Sequence, residues 1–137
     1  MTKLFNSSAQ ADAAWPGPAE VDELLGYLPL LYPGGVAIKA SEVRGDNPWP
    51  LYVPLVQAFF AVLDRPCWTD VNYSIEAGNA LRDDPQAIAH MDLAQLRGLL
   101  TYCKRGERFC DGHWAAMIEQ GQVLAILRRL AQLHQKF

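Results

Sequence analysis

Residues 107–121, ERFCDGHWAAMIEQG, hold the densest set of chemistry-capable side chains in the sequence. They are the carboxylates Glu107, Asp111 and Glu119, the thiol of Cys110, the imidazole of His113, the guanidinium of Arg108 and the indole of Trp114. Three chemistries fit these types. The first is metal binding, since Cys103, Cys110 and His113 are zinc-competent and Cys67, His90 or Asp111 is available as a fourth ligand. Spacing argues against it, because structural zinc sites are built from paired, closely spaced knuckles and Cys103 falls on a stripe expected to face the core. The second is nucleophilic catalysis, with Cys110 activated by His113, the imidazole oriented by Asp111 or Glu119, and an anionic substrate held by Arg108. Against this, residues three apart are neighbours in any helix, and no oxyanion donor pair or strand-to-helix elbow is recognisable. The third is nucleic-acid binding, since segments 92–104, 111–120 and 122–135 have the lengths of a helix-turn-helix. His113, Ala115, Ala116, Met117 and Gln120 offer little to base edges, however, and Arg128 and Arg129 would touch phosphate without reading sequence.

A structural corner accounts for more of these residues. Phe109 and Trp114 can staple it to a core, and Asp111 can cap the free N–H groups of the next helix. Gly106, Gly112 and Gly121 suit turns or close approaches, with Gly106 able to close the preceding helix in the left-handed conformation. Glu107 and Arg108 then form a surface ion pair. Beside the corner, Trp49, Tyr52, Trp68 and Tyr73 are polar-tipped aromatics in irregular segments, able to line a shallow pocket. The candidate ligand-binding residues are Arg108, Trp114, Trp68, Tyr73, Arg128 and Arg129, and neither a metal ion nor a cofactor is expected.

The elements that must position these groups are helical. Val21, Leu24, Leu25 and Leu28 share one stripe of a first helix that stops near Pro29. A long loop follows, with GGVAI too short for more than one strand-like extension and NPWP extended because each proline disfavours helical torsions before it. LYVPLVQAFFAVL, residues 51–63, begins a helix at Pro54 that is apolar on so many sides that it should be central. Ser74 and Asp84 cap two short helices, and Asp92 caps a longer one on which Leu93, Leu96, Leu100 and Cys103 recur at helical spacing. In the final helix, Val123, Leu127, Leu130 and His134 fall on one line. The predicted architecture is all-α: a mobile lead-in over 1–18, with Trp15 able to dock, then a single compact domain over 19–137. That domain has five to six helices, a central apolar helix and a three-helix C-terminal subassembly.

Composition sets the outer limits. The chain has 137 residues, half of them apolar, enough for one core without staples. Its net charge of -3 gives no overall attraction to nucleic acid or anionic membrane. Residues 1–96 carry five basic groups against twelve acidic ones, whereas 97–137 carry seven against three, leaving room for a local anion site. Three cysteines and no recognisable secretory signal point to reduced thiols in the cytoplasm. The most apolar run, the 13 residues 51–63, falls short of the roughly 18–20 that span a bilayer.

Residues 96–130, LRGLLTYCKRGERFCDGHWAAMIEQGQVLAILRRL, resemble a bacterial family of uncharacterised function. The resemblance rests on LLTY, then RGERF, DG, an aromatic residue, and a glycine opening a leucine-rich last helix. It carries over no catalytic residue and implies a binding or interaction role. The leading expectation is therefore a non-enzymatic module working through the 104–114 corner with Arg128 and Arg129. The alternatives are a small enzyme using Asp111, His113 and Cys110, or a nucleic-acid-binding protein. The expected partner is a protein or a small anionic ligand, not a membrane. The sequence does not fix the oligomeric state, although the final helix could support a homodimer through whatever part of its apolar stripe stays exposed.

Overall fold

A proline at the start of a helical element leaves no N–H unsatisfied, so it opens such elements at little cost. The computed structural model describes residues 15–42, 51–81 and 84–135. In it Pro18, Pro29, Pro33, Pro54, Pro66 and Pro85 each sit in the first turn of a helical element. Among the described residues the helices are α1 (Pro18–Leu25), α2 (Leu28–Leu31), α3 (Pro54–Val62), α4 (Ile75–Leu81), α5 (Pro85–Ile88), α6 (Leu93–Arg105), α7 (His113–Glu119) and α8 (Gln122–His134). Short 3-10 turns occupy Pro33–Gly35, Pro66–Trp68 and Gly106–Arg108. The only strands among the described residues are β1 (Ser41–Glu42) and β2 (Leu51–Tyr52), antiparallel with Ser41 opposite Tyr52.

The fold is all-α, as expected, with α2 and α5 as single turns beside six longer helices. Local capping follows the sequence. Ser74 Oγ accepts from Ala77 N at 3.0 Å and Asp84 Oδ1 from Ala87 N at 3.1 Å, while Asp92 and Gln95 cap each other's N–H groups. Pro29 departs from expectation: it stands inside the first turn of α2 and so begins a helix where it was expected to end one. The NPWP segment and most of the lead-in lie outside the described residues. Trp15 lies within them, its ring 4.4 Å from the Arg97 guanidinium.

The centre of the domain is α8 more than α3. Val123, Ile126, Leu127 and Leu130 are fully buried, and the helix touches α1, α2, α5, α6 and α7. On α3, Val56, Phe59 and Phe60 are buried, but Gln57, Ala58 and Ala61 face outward. Side chains of this kind each contribute about 1.5–3 kcal/mol when removed from water. The helices α6, α7 and α8 pack on one another as the predicted C-terminal subassembly.

Polar ties join this subassembly to the N-terminal half. Tyr32 donates to Ile118 O at 2.8 Å, and Ala40 N donates to Glu119 at 3.0 Å. Arg97 donates to the carbonyls of Cys67 and Thr69, Arg129 donates to that of Met91, and Lys104 pairs with Asp64 at 2.6 Å. Part of the charge division along the chain is therefore internal, with C-terminal cations binding backbone and carboxylate oxygens upstream of them.

Candidate functional site

The 104–114 corner starts where α6 runs into the 3-10 turn Gly106–Arg108. Gly106 has φ -60, so it continues the helical path and does not take the left-handed conformation expected of it. Its glycine is required for another reason. A methyl group there would overlap the imidazole of His113, which lies directly against the backbone. The chain reverses at Gly112, whose φ of 92 favours glycine, and α7 begins.

Glu107 organises the turn. Its carboxylate accepts from Gly112 N at 3.0 Å, from Trp114 N at 2.9 Å and from the Tyr52 hydroxyl at 2.8 Å. It thus satisfies the first N–H groups of α7, the task assigned to Asp111 from the sequence. Asp111 is exposed and α7 has no cap from its own N-cap side chain, which corrects that expectation. The physical cause is Gly112: its left-handed turn carries the helix start past Asp111 and presents the N–H groups to Glu107. The expected Glu107–Arg108 ion pair is replaced by these bonds. Burial, and then the bond to Glu107, raise the Tyr52 phenol well above its ordinary pKa, so it remains a neutral donor.

Trp114 closes the same side. Its Nε1 donates to Lys104 O at 2.7 Å, its ring stacks on Phe60 at 4.4 Å, and it tilts against Tyr52 at 5.1 Å. These groups and the Lys104–Asp64 pair border a hollow of about 450 Å³. In its aromatic wall Trp114 meets both Phe60 and Tyr52.

The other side is different. His113 is only 8% exposed and sets its ring edge-on to Tyr102, with centroids 5.3 Å apart. Tyr102 donates to Asn79 Oδ1 at 2.6 Å, and its ring lies on Gly78, where a methyl group would overlap it. His113, Tyr102, Asn79 and Gly106, with Tyr73, Ile75, Phe109 and Cys110, line a cleft of about 180 Å³. Phe109, expected to staple the corner, is 74% exposed on the rim of this cleft, and Ile75 on the same lining is 49% exposed. The Arg105 guanidinium lies 5.4 Å from the Tyr73 ring centroid.

The structure therefore brings Tyr73, Cys110 and His113 together, with Arg108 beside them in sequence and Asp111 off the lining. The Cys110 thiol is exposed and donates to Asp111 O at 3.9 Å. Trp68 is fully buried and belongs to the core, not to a ligand wall. Arg129 is held by Met91 O and Gln132, whereas Arg128 is exposed near Gly35, and neither lines a hollow at the corner. Of the zinc-competent residues, Cys103 is buried in the core, its thiol pushed up to about 12 by burial, and Cys67 is half-buried and raised for the same reason. Among the described residues no three His, Cys, Asp or Glu side chains are grouped to hold a metal ion. Lys104, Arg105 and Arg129 engage Asp64, Tyr73 and Met91, three separate segments, and Arg128 lies near Gly35.

Sequence reasoning passed over Glu107, Ile75, Asn79 and Tyr102 as site residues. Glu107 precedes the N–H groups it caps by five and seven positions, outside the three-residue offset of a capping box. Ile75 and Asn79 carried a signal in their i, i+4 spacing on α4, which places both on one helix face.

The fold and the corner define a small helical protein with two hollows at the joint between α6 and α7, one walled by stacked rings and the other rimmed by exposed apolar side chains. The chain belongs to the family of unknown function DUF6508, whose model matches residues 18–136. No curated protein and no solved structure matches it. No helix among the described residues is long and apolar enough to cross a membrane.

Proposed function

We propose that this protein is a non-enzymatic interaction module, and that its working surface is the open cleft between α4 and the 106–113 turn. The observation that carries this reading is the pairing of exposed Phe109 with exposed Ile75 on a single side-chain-sized hollow. Large apolar groups left on a surface around a concavity mark contact sites. At about 180 Å³ the cleft is below the roughly 300 Å³ at which small-molecule sites begin, which favours one anchoring side chain of a protein partner. Arg105 and Arg108 nearby favour acidic neighbours of that anchor.

The test is a titration with N-acetyl-phenylalaninamide and N-acetyl-leucinamide as anchor probes, followed by NMR. Saturable shifts confined to Gly106, Tyr102 and His113 are expected, with a Kd near about 1 mM, equivalent to about -4.1 kcal/mol. Loss of those shifts in Phe109→Ser supports the reading, and their absence in the unaltered protein overturns it.

A second reading, a thiol–imidazole reaction centre, is favoured by Cys110 and His113 lining the same cleft. It requires Cys110 to be alkylated about tenfold faster than a free cysteine peptide at pH 7, and His113→Phe to remove the excess. Equal rates eliminate it.

A further inference from the structure

The same patch carries both a protruding plug and a hole of matching size. Phe109 stands 74% exposed at the mouth of the cleft that it helps to line, opposite Ile75. A patch that is complementary to itself is what a two-fold interface needs, because one rotation satisfies both copies at once and closes the assembly. Resting on the interaction-module reading above, we infer that the occupant of the cleft is a second copy of this chain, with Phe109 of each copy seated in the other's cleft.

The rim charges support that partner. Arg105 and Arg108 precede the plug and Asp111 follows it, a net positive edge, whereas Glu76 follows Ile75 in the exposed first turn of α4. Crossing two copies sets the positive edge of one against Glu76 of the other. On the final helix, where an exposed stripe was expected to support a dimer, Val123, Ile126, Leu127 and Leu130 are fully buried, and of its larger apolar side chains Leu124 and Leu133 are half-buried.

Sedimentation of the full chain over a concentration series, beside the probe titration at its dilute end, tests the inference. The mass should double with a Kd below about 100 μM. Phe109→Ser should remain monomeric, Arg108→Glu should weaken association about tenfold, and adding Glu76→Arg to Arg108→Glu should restore it. A wild-type dimer that Phe109→Ser leaves intact overturns this interface, and failure of the double variant to recover overturns the crossed arrangement. A monomer at about 0.5 mM that still binds N-acetyl-phenylalaninamide in the cleft overturns the second copy as occupant and leaves the module reading standing. A monomer that binds no probe overturns both.

Discussion

The two sides of Trp114 and His113, adjacent residues at the start of α7, have opposite characters. On the Trp114 side the polar groups are matched: Tyr52, Gly112 and Trp114 all donate to Glu107, the indole donates to Lys104 O, and Lys104 pairs with Asp64. On the His113 side the floor is packed as tightly, but the rim leaves Phe109 and Ile75 in solvent. Residues that close hydrogen bonds and stack rings hold the corner, and Phe109 and Ile75 are left apolar and exposed beside it.

Substitutions can break that contrast, and the largest effect falls on the packed floor. Gly106→Ala forces the His113 ring to shift against Tyr102 and should cost about 3 kcal/mol, read as a lowered urea midpoint. Glu107→Ala removes the acceptor of three hydrogen bonds and should cost about 2–3 kcal/mol in the same measurement. Alkaline pH comes next. Burial raises the Cys103 thiol to about 12 from an ordinary value of 9.0, so its neutral form contributes stability that is complete below pH 9 and lost between 9 and 12. The melting temperature should therefore begin to fall from pH 9, and fall less steeply between 9 and 10 in Cys103→Ala. Phe109→Ser should change stability by no more than about 0.5 kcal/mol while abolishing probe binding. Smallest of all, Asp111→Ala should be nearly silent in thermal unfolding. A loss of about 1 kcal/mol there would mean that Asp111 caps α7 after all.

Much of the scaffold was legible because it rests on local rules. Ser74, Asp84 and Asp92 cap where their residue types and positions say they should, and the stripe Leu96–Leu100–Cys103 is buried. The corner was less legible because its decisive bonds are set by backbone turns and by distant contacts. Nothing near Glu107 in sequence announces Tyr52 as its donor, fifty-five positions away. Phe109 misled for a related reason, since an aromatic residue flanking a helix start reads as a staple, and only the direction of the 3-10 turn before it reveals that it points outward. The hub role of α8 was hidden likewise: α3 is the more apolar helix, but contact with five others depends on its place in the assembly.

An imidazole lying flat on bare backbone turns two positions into one choice. Any relative with a side chain at the place of Gly106 must carry something smaller than histidine at the place of His113, and the same bond of necessity links Gly78 to Tyr102. Because both tyrosine and histidine form the floor of one cleft, these two glycines, themselves without any functional group, govern which shapes that floor can take and hence what it can admit.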